Sequence, residues 1–133
     1  MGGHGKRTTP KLIARHADGA AWAFVSPEYV KEQNKAVDIA CEEIDRDPTD
    51  IPRSINLSCY FGPDEHAARK RQKAFETLEI RKEGALLGTP SQVVDTLHRY
   101  GDAGITQVNL TFRQDLDDDS LDCFIDEIMP TFA

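Results

Sequence analysis

From Arg53 to Phe61 the chain alternates without a slip. Ile55, Leu57, Cys59 and Phe61 are apolar, while Ser54, Asn56, Ser58 and Tyr60 between them are polar. A period of two is the mark of a strand with one face toward a core. Val108, Leu110 and Phe112, set against Gln107, Asn109 and Thr111, predict a second strand of the same kind. Ala20-Ala21-Trp22-Ala23-Phe24 predicts a third, shorter one, after the break at Asp18-Gly19.

The stretches between repeat at helical spacing. A first helix is expected from Thr8 to His16. Ser26 and Pro27 supply a cap and a first-turn proline for the next, whose stripe is Tyr29, Gln33, Val37, Ala40, Cys41 and Ile44 and whose end is Arg46-Asp47-Pro48. Gly62-Pro63-Asp64 turns the chain into a charged helix reaching about Leu78, and Ile80 to Leu87 reads as a loop. Thr89-Pro90-Ser91-Gln92 starts another helix with capping-box chemistry. Its buried stripe is Val93, Val94, Leu97 and Tyr100, and Gly104 stands where a left-handed residue closes the last turn. A final helix carries Leu121, Phe124, Ile125, Ile128 and Met129 on one face, stops at Pro130, and begins at Asp117-Asp118-Asp119-Ser120, with acids where the helix dipole favours them. Strands alternating with helices in this way imply an α/β fold with parallel strands and right-handed crossovers. The count of about three strands is well short of the eight in a complete (β/α)₈ barrel.

The length of 133 residues suits one domain, 1–133, with a real core. Sixteen Lys and Arg against 23 Asp and Glu give a net charge of −7, which argues against a nucleic-acid or anionic-membrane partner. The basic run Arg69-Lys70-Arg71-Gln72-Lys73 lies beside Asp64, Glu65 and Glu76 and reads as a solvated helix face. No apolar stretch nears the ~20 residues of a membrane span, and no signal peptide is visible. Cys41, Cys59 and Cys123 are odd in number, far apart and set in apolar patterns, as expected of reduced thiols in a cytoplasmic protein. His4, His16, His66 and His98 lack the spacing of a metal site, and no Gly-x-Ser-x-Gly elbow is present. The acid pairs read as solvated charge.

Gly2-Gly3-His4-Gly5 remains, directly ahead of the first helix. Glycines that let backbone approach a ligand, followed by a helix N-terminus, suit an anion. A P-loop would need Ser or Thr after Gly5-Lys6, where Arg7 stands. The other reading is a glycine-rich tail. Such a loop normally follows a strand, so with only Met1 ahead of it the chain is expected to start partway through a larger fold. The polar strand residues Asn56, Ser58, Tyr60, Asn109 and Thr111 allow two readings as well: the mouth of a barrel, or the wet face of an open sheet.

Gly2-Gly3-His4-Gly5 followed by Ala14-Arg15-His16-Ala17-Asp18-Gly19 resembles the glycine loop, helix and strand entry of the bacterial luciferase-like oxidoreductases and monooxygenases. Ser26-Pro27-Glu28, the helix through Cys41 and Asp45-Arg46-Asp47-Pro48 are similar to that family's next helix and its exit. Gly88-Thr89-Pro90-Ser91-Gln92-Val93-Val94 with Tyr100, Ala103-Gly104-Ile105 and Val108, and then Glu127-Ile128-Met129-Pro130, resemble its late helix, last strand and closing helix. The resemblance implies a partial (β/α)₈ TIM-type barrel, the C-terminal half. It implies FMN or the deazaflavin coenzyme F-420 as cofactor, with the Gly-Gly-His-Gly form leaning to the deazaflavin. Gly2 and Gly3 are the implied phosphate holders, with His4 and Gly5 in the same loop. The ring would do the redox chemistry and the protein would position it. The family's early strands, which hold ring and substrate, have no counterpart here, so no catalytic residue is assigned. Open strand edges imply self-association or pairing with an N-terminal barrel half. The alternative is a non-catalytic remnant or a subunit acting by association; an unrelated open α/β sandwich is a third possibility.

Overall fold

The computed structural model describes residues 1–112 and 118–132. In chain order the elements are α1 (Thr8–His16), β1 (Ala20–Ala23), α2 (Pro27–Glu42), β2 (Arg53–Phe61), α3 (Glu65–Glu76), β3 (Ala85–Gly88), α4 (Pro90–Asp102), β4 (Gln107–Phe112) and α5 (Asp118–Cys123). After α5 the coil widens into a π-helical turn over Phe124–Ile128 and tightens into a 3₁₀ turn over Met129–Phe132. Asp117, one of the acids expected at the start of the last helix, lies outside the described residues.

All four strands run parallel, and β2 is their hub. β1 lies along its first half, with Ala20 opposite Arg53 and Ala23 opposite Asn56. β4 occupies the other edge, from Gln107 opposite Ser54 to Phe112 opposite Cys59. β3 shares an edge with β1, end to end, pairing Ala85 with Ser58 and Gly88 with Phe61. This fourth strand corrects the expected count of three and takes the end of the loop expected over Ile80 to Leu87, of which Ile80 to Gly84 is irregular as expected. Four residues with one fully buried side chain, Leu86, are too few to show a period.

The alternation in β2 does its expected work. Ile55, Leu57 and Phe61 are fully buried with Trp22 of β1, and the helices bring Ile13, Val30, Val37, Cys41, Val93 and Tyr100 against them. The neighbours across this core face follow the order α1, α2, α4 and then the turns after α5. The opposite face is open only over its N-terminal part: of the polar residues expected there, Ser58 is buried and Tyr60 is half-buried, its ring 4.6 Å from that of Phe75 in α3. Ala21, Gln107 and Asn109 are exposed and Ala23, Ser54, Asn56 and Thr111 partly so. There Asn109 donates to Asn56 Oδ1 at 3.0 Å and Gln107 donates to Asn109 Oδ1 at 3.1 Å.

The expected caps at Ser26 and Thr89 form, and Asp64 adds one at the start of α3. Ser26 Oγ accepts from the Tyr29 N–H at 3.2 Å, Asp64 from Ala67 at 2.8 Å, and Gln92 Oε1 from Thr89 at 2.9 Å. Gly104 has a φ of +99°. A buried polar knot ties the elements together. The Trp22 indole donates to Asn34 Oδ1 at 2.9 Å, Asn34 Nδ2 donates to the Ala103 carbonyl at 2.8 Å, and Arg53 donates to Asn34 O, Ile51 O and Asp38. Cys41 and Cys123 are buried and Cys59 partly buried, all as free thiols.

Two expectations about side chains are corrected. Arg71 does not belong to a solvated face: it turns inward to donate to the Phe61 carbonyl at 2.9 Å and to Ser120 Oγ. The last helix does not present one apolar face. Ile128 is buried and Phe124 partly so, while Leu121, Ile125 and Met129 are exposed.

Candidate functional site

Met1 sets the direction of the glycine segment. Its amino nitrogen donates to the Gly19 carbonyl at 2.7 Å, and its own carbonyl accepts from the Ala21 N–H at 2.8 Å. Those two bonds flank Ala20 in the pattern of a parallel ladder. The next residues therefore travel along β1 toward its C-terminal end. Gly2 passes so close that a Cβ there would stand 2.5 Å from the Ala21 carbonyl oxygen. Gly3 has a φ of +151°, which disfavours a side chain, and a Cβ on Gly5 would stand 2.7 Å from Thr9 Oγ1. The glycines thus have local steric reasons to be glycine.

His4 sits between the starts of two helices. Its ring centroid is 6.1 Å from that of Tyr29 in the first turn of α2, and the Tyr29 hydroxyl lies 3.5 Å from both its Nδ1 and its carbonyl oxygen. Lys6 reaches Glu32 of α2 at 3.9 Å. The segment expected to bind a phosphate is consequently folded over the N-terminus of α1, at the C-terminal end of β1.

The electrostatics differ between the two helix starts. α2 is capped by Ser26 and carries Glu28, whose exposed carboxyl is held below its ordinary range by its own backbone N–H first and then by Arg99. α1 has no side-chain cap bond at Arg7 and no acid in its first turn. Its leading N–H groups have no intrahelical partner, and Lys6, Arg7 and Lys11 are exposed around them. Backbone donors, positive side chains and close glycines fit a phosphate group. Sequence reasoning missed Thr9 and Tyr29, the side chains that shape the loop. Tyr29 belongs by spacing to the stripe of α2, where it is half-buried, and nothing in that spacing marks it as the partner of a segment 25 residues away.

Other chemistry is sparse. Among the described residues no three of His, Cys, Asp and Glu stand together as a metal site, and no helix is long and apolar enough to cross a membrane. A cleft of about 540 Å³ opens at the opposite, N-terminal ends of β1, β2 and β4, where Met1, His16, Asp18, Arg53, Ser54 and Gln107 line it.

No family model matches the chain, and no curated protein matches its sequence. Solved structures do match its fold. The coenzyme F420-dependent tetrahydromethanopterin reductase from Methanopyrus kandleri aligns with 100% of this chain and 50% of its own, at 16% identity and a TM-score of 0.75. An F420-dependent secondary alcohol dehydrogenase, solved with an F420–acetone adduct, aligns with 96% of this chain and 47% of its own, at 16% identity and 0.74. The oxygenating constituent of 3,6-diketocamphane monooxygenase from Pseudomonas putida, solved with FMN, aligns with 97% and 47%, at 12% identity and 0.69. Neighbours of this kind are luciferase-like monooxygenase family members, and the likeness is one of fold. This chain is an α/β partial (β/α)₈ barrel, spanning about half the length of the structures it matches.

Proposed function

We propose that this chain is the C-terminal half of a luciferase-like oxidoreductase and that Gly2, Gly3, His4 and Gly5 hold the phosphate of FMN or of the deazaflavin coenzyme F-420. One observation carries the reading. The glycine segment is laid by Met1 along β1 and folded over the start of α1, which has no side-chain cap bond and no acid in its own first turn. The loop therefore stands at the C-terminal ends of the strands, where barrel enzymes build their sites. Two of the neighbours described above have F420 in their names and a third was solved with FMN.

When bound, the isoalloxazine or deazaflavin ring supplies hydride transfer or, for a reduced flavin, oxygen activation. This chain's own residues do simpler things. Backbone N–H groups at the start of α1 donate to the anion, and Lys6, Arg7 and Lys11 raise the local positive potential. Tyr29 steadies His4 from the side of α2.

The test is a fluorescence titration of the purified chain with FMN and with the deazaflavin coenzyme. Dissociation constants on the order of micromolar, about −8 kcal/mol, are expected. Gly3→Asn and Gly3→Asp place side chains of nearly equal size at the loop and differ in charge. Binding should fall at least ~10-fold further in the aspartate variant, because its carboxylate occupies the anion position. If neither cofactor binds the folded wild-type chain at 100 µM (~5 kcal/mol or less), the proposal fails. The second reading, a non-catalytic remnant, is then favoured. That reading has its own support, since the 540 Å³ cleft lies at the other end of the strands from the loop.

A further inference from the structure

The two flanks of the helical layer carry opposite charge. α1 is the first helix of the series across the core face, and its exposed side offers Arg7, Lys11 and Arg15 with Leu12 between them. None of the three makes an ion pair among the described residues, and α1 contains no acid. At the far flank the segment from α5 onward exposes Asp122, Asp126 and Glu127, with no base between Asp118 and Phe132. The same segment exposes Leu121, Ile125, Met129 and Phe132, each 40–55% exposed, the last with its ring 4.9 Å from that of His98 in α4. Beneath it β4 pairs with β2 alone, so its other edge keeps unpaired N–H and C=O groups among the described residues.

We propose that two copies of this chain close on one another head to tail, α1 of each against the α5 flank of the other. A two-fold axis along the strand direction does this while keeping every strand parallel. It sets Lys11 and Arg15 of one copy opposite Asp122 and Asp126 of the other, twice per dimer. It also brings the β4 edge of each copy toward the β1 side of its partner and turns both open sheet faces, with Ala21, Ala23 and Asn56, toward a shared interior. Charge complementarity selects this arrangement over one that sets α5 against α5, because that would oppose carboxylates to carboxylates across the contact. The exposed Leu121, Ile125 and Met129 add apolar surface that such a contact would remove from water. The inference rests on the partial-barrel fold and is independent of the cofactor reading.

The experiment is sedimentation velocity of the full chain at 1–100 µM (~10 Å Debye length at 0.1 M salt). The expected species has twice the 14.9 kDa chain mass and dissociates at least ~10-fold more readily in 0.5 M salt. Lys11→Glu/Arg15→Glu gives a chain with two acidic flanks, and Asp122→Lys/Asp126→Lys gives one with two basic flanks. Each alone should be a monomer with unchanged circular dichroism, since all four residues are exposed. Mixed in equal amounts they should form a one-to-one heterodimer, in which both contacts again oppose unlike charges. The proposal is overturned if the wild-type chain is a monomer at 100 µM, if either variant dimerises as well as wild type, or if the mixture stays monomeric. A wild-type monomer that instead binds a different chain through the α5 flank also overturns it.

Discussion

Replacing Asn34 with alanine should unfasten three elements at once. Asn34 is 5% exposed. Its amide oxygen accepts the Trp22 indole N–H and its amide nitrogen donates to the Ala103 carbonyl, so one side chain joins β1 and the end of α4 to α2. Alanine leaves one buried donor and one buried acceptor without partners. Each such group costs about 1–3 kcal/mol, so a total near 3 kcal/mol is expected, a large part of the ~5–15 kcal/mol that holds a domain folded. For a chain of this size that corresponds to a fall in Tm of roughly 10 °C. Asn34→Asp should cost more than Asn34→Ala. It keeps the acceptor for Trp22 but turns an oxygen toward the Ala103 carbonyl and buries a charge. The chain has one tryptophan, so its emission reports on the bond directly. Urea unfolding followed by fluorescence gives stability and environment in the same titration. A loss under 0.5 kcal/mol in the alanine variant, or an unchanged Trp22 emission maximum, would refute the reasoning that this amide is the tie.

Three further outcomes are expected. Gly101→Ala should stabilise the chain by about 0.5–1 kcal/mol, because a Cβ there meets nothing within 4 Å and glycine is costly within a helix; Gly84→Ala should destabilise it by at least ~2 kcal/mol, since Gly84 has a φ of +68° and its Cβ would stand 2.4 Å from the Phe24 Cα. Both are read from thermal unfolding, and the reverse ranking would contradict the geometry. Burial pushes the Cys59 thiol up from 9.0 to about 12 and the Tyr100 phenol up from 10.0 to about 12. The native state therefore keeps protons that the unfolded chain releases, so stability falls from pH 9 for Cys59 and from pH 10 for Tyr100, in each case up to pH 12, by up to ~1.4 kcal/mol per pH unit per group; guanidinium midpoints at pH 8 and 11 check this, and a midpoint that rises with pH contradicts it. Asp38→Ala should cost at least as much as Arg53→Ala, because it leaves the buried guanidinium without its counter-charge, whereas the Asp38 side chain is 47% exposed and stays solvated when Arg53 is removed; a much smaller loss for Asp38→Ala in urea unfolding would show that the Ile51 and Asn34 carbonyls suffice for the guanidinium.

What the residues disclose locally they disclose well. Thr8–His16 and Arg53–Phe61 form with their expected bounds, because a proline-bearing helix start and an unbroken alternation are local signals. The caps at Ser26 and Thr89 form for the same reason. β3 was hidden because its reason is not local: Ala85-Leu86-Leu87-Gly88 becomes a strand by lying against the upper half of β2, which β1 is too short to cover. The last helix misled because five apolar residues on one face suggest one buried face, whereas the π-helical turn changes the angular step and the segment ends the helical layer, with no neighbour on its outer side among the described residues. At the candidate site the glycines were legible from type and order. Their setting depends on Met1 pairing beside Ala20 and on Tyr29 meeting His4, contacts that only the folded chain brings together.

Every ladder in the sheet has β2 as one rail: β1, β3 and β4 each pair with it and not with one another. The order of assembly follows. No two of the shorter strands can associate before Arg53–Phe61 is in place, and β4 must return across some 50 residues of chain to find it, which makes its docking slow and late. A nick between Leu78 and Gly84 would leave two rails joined, whereas a nick inside β2 would release all three, so the chain should survive limited proteolysis in the first place and come apart as a whole in the second.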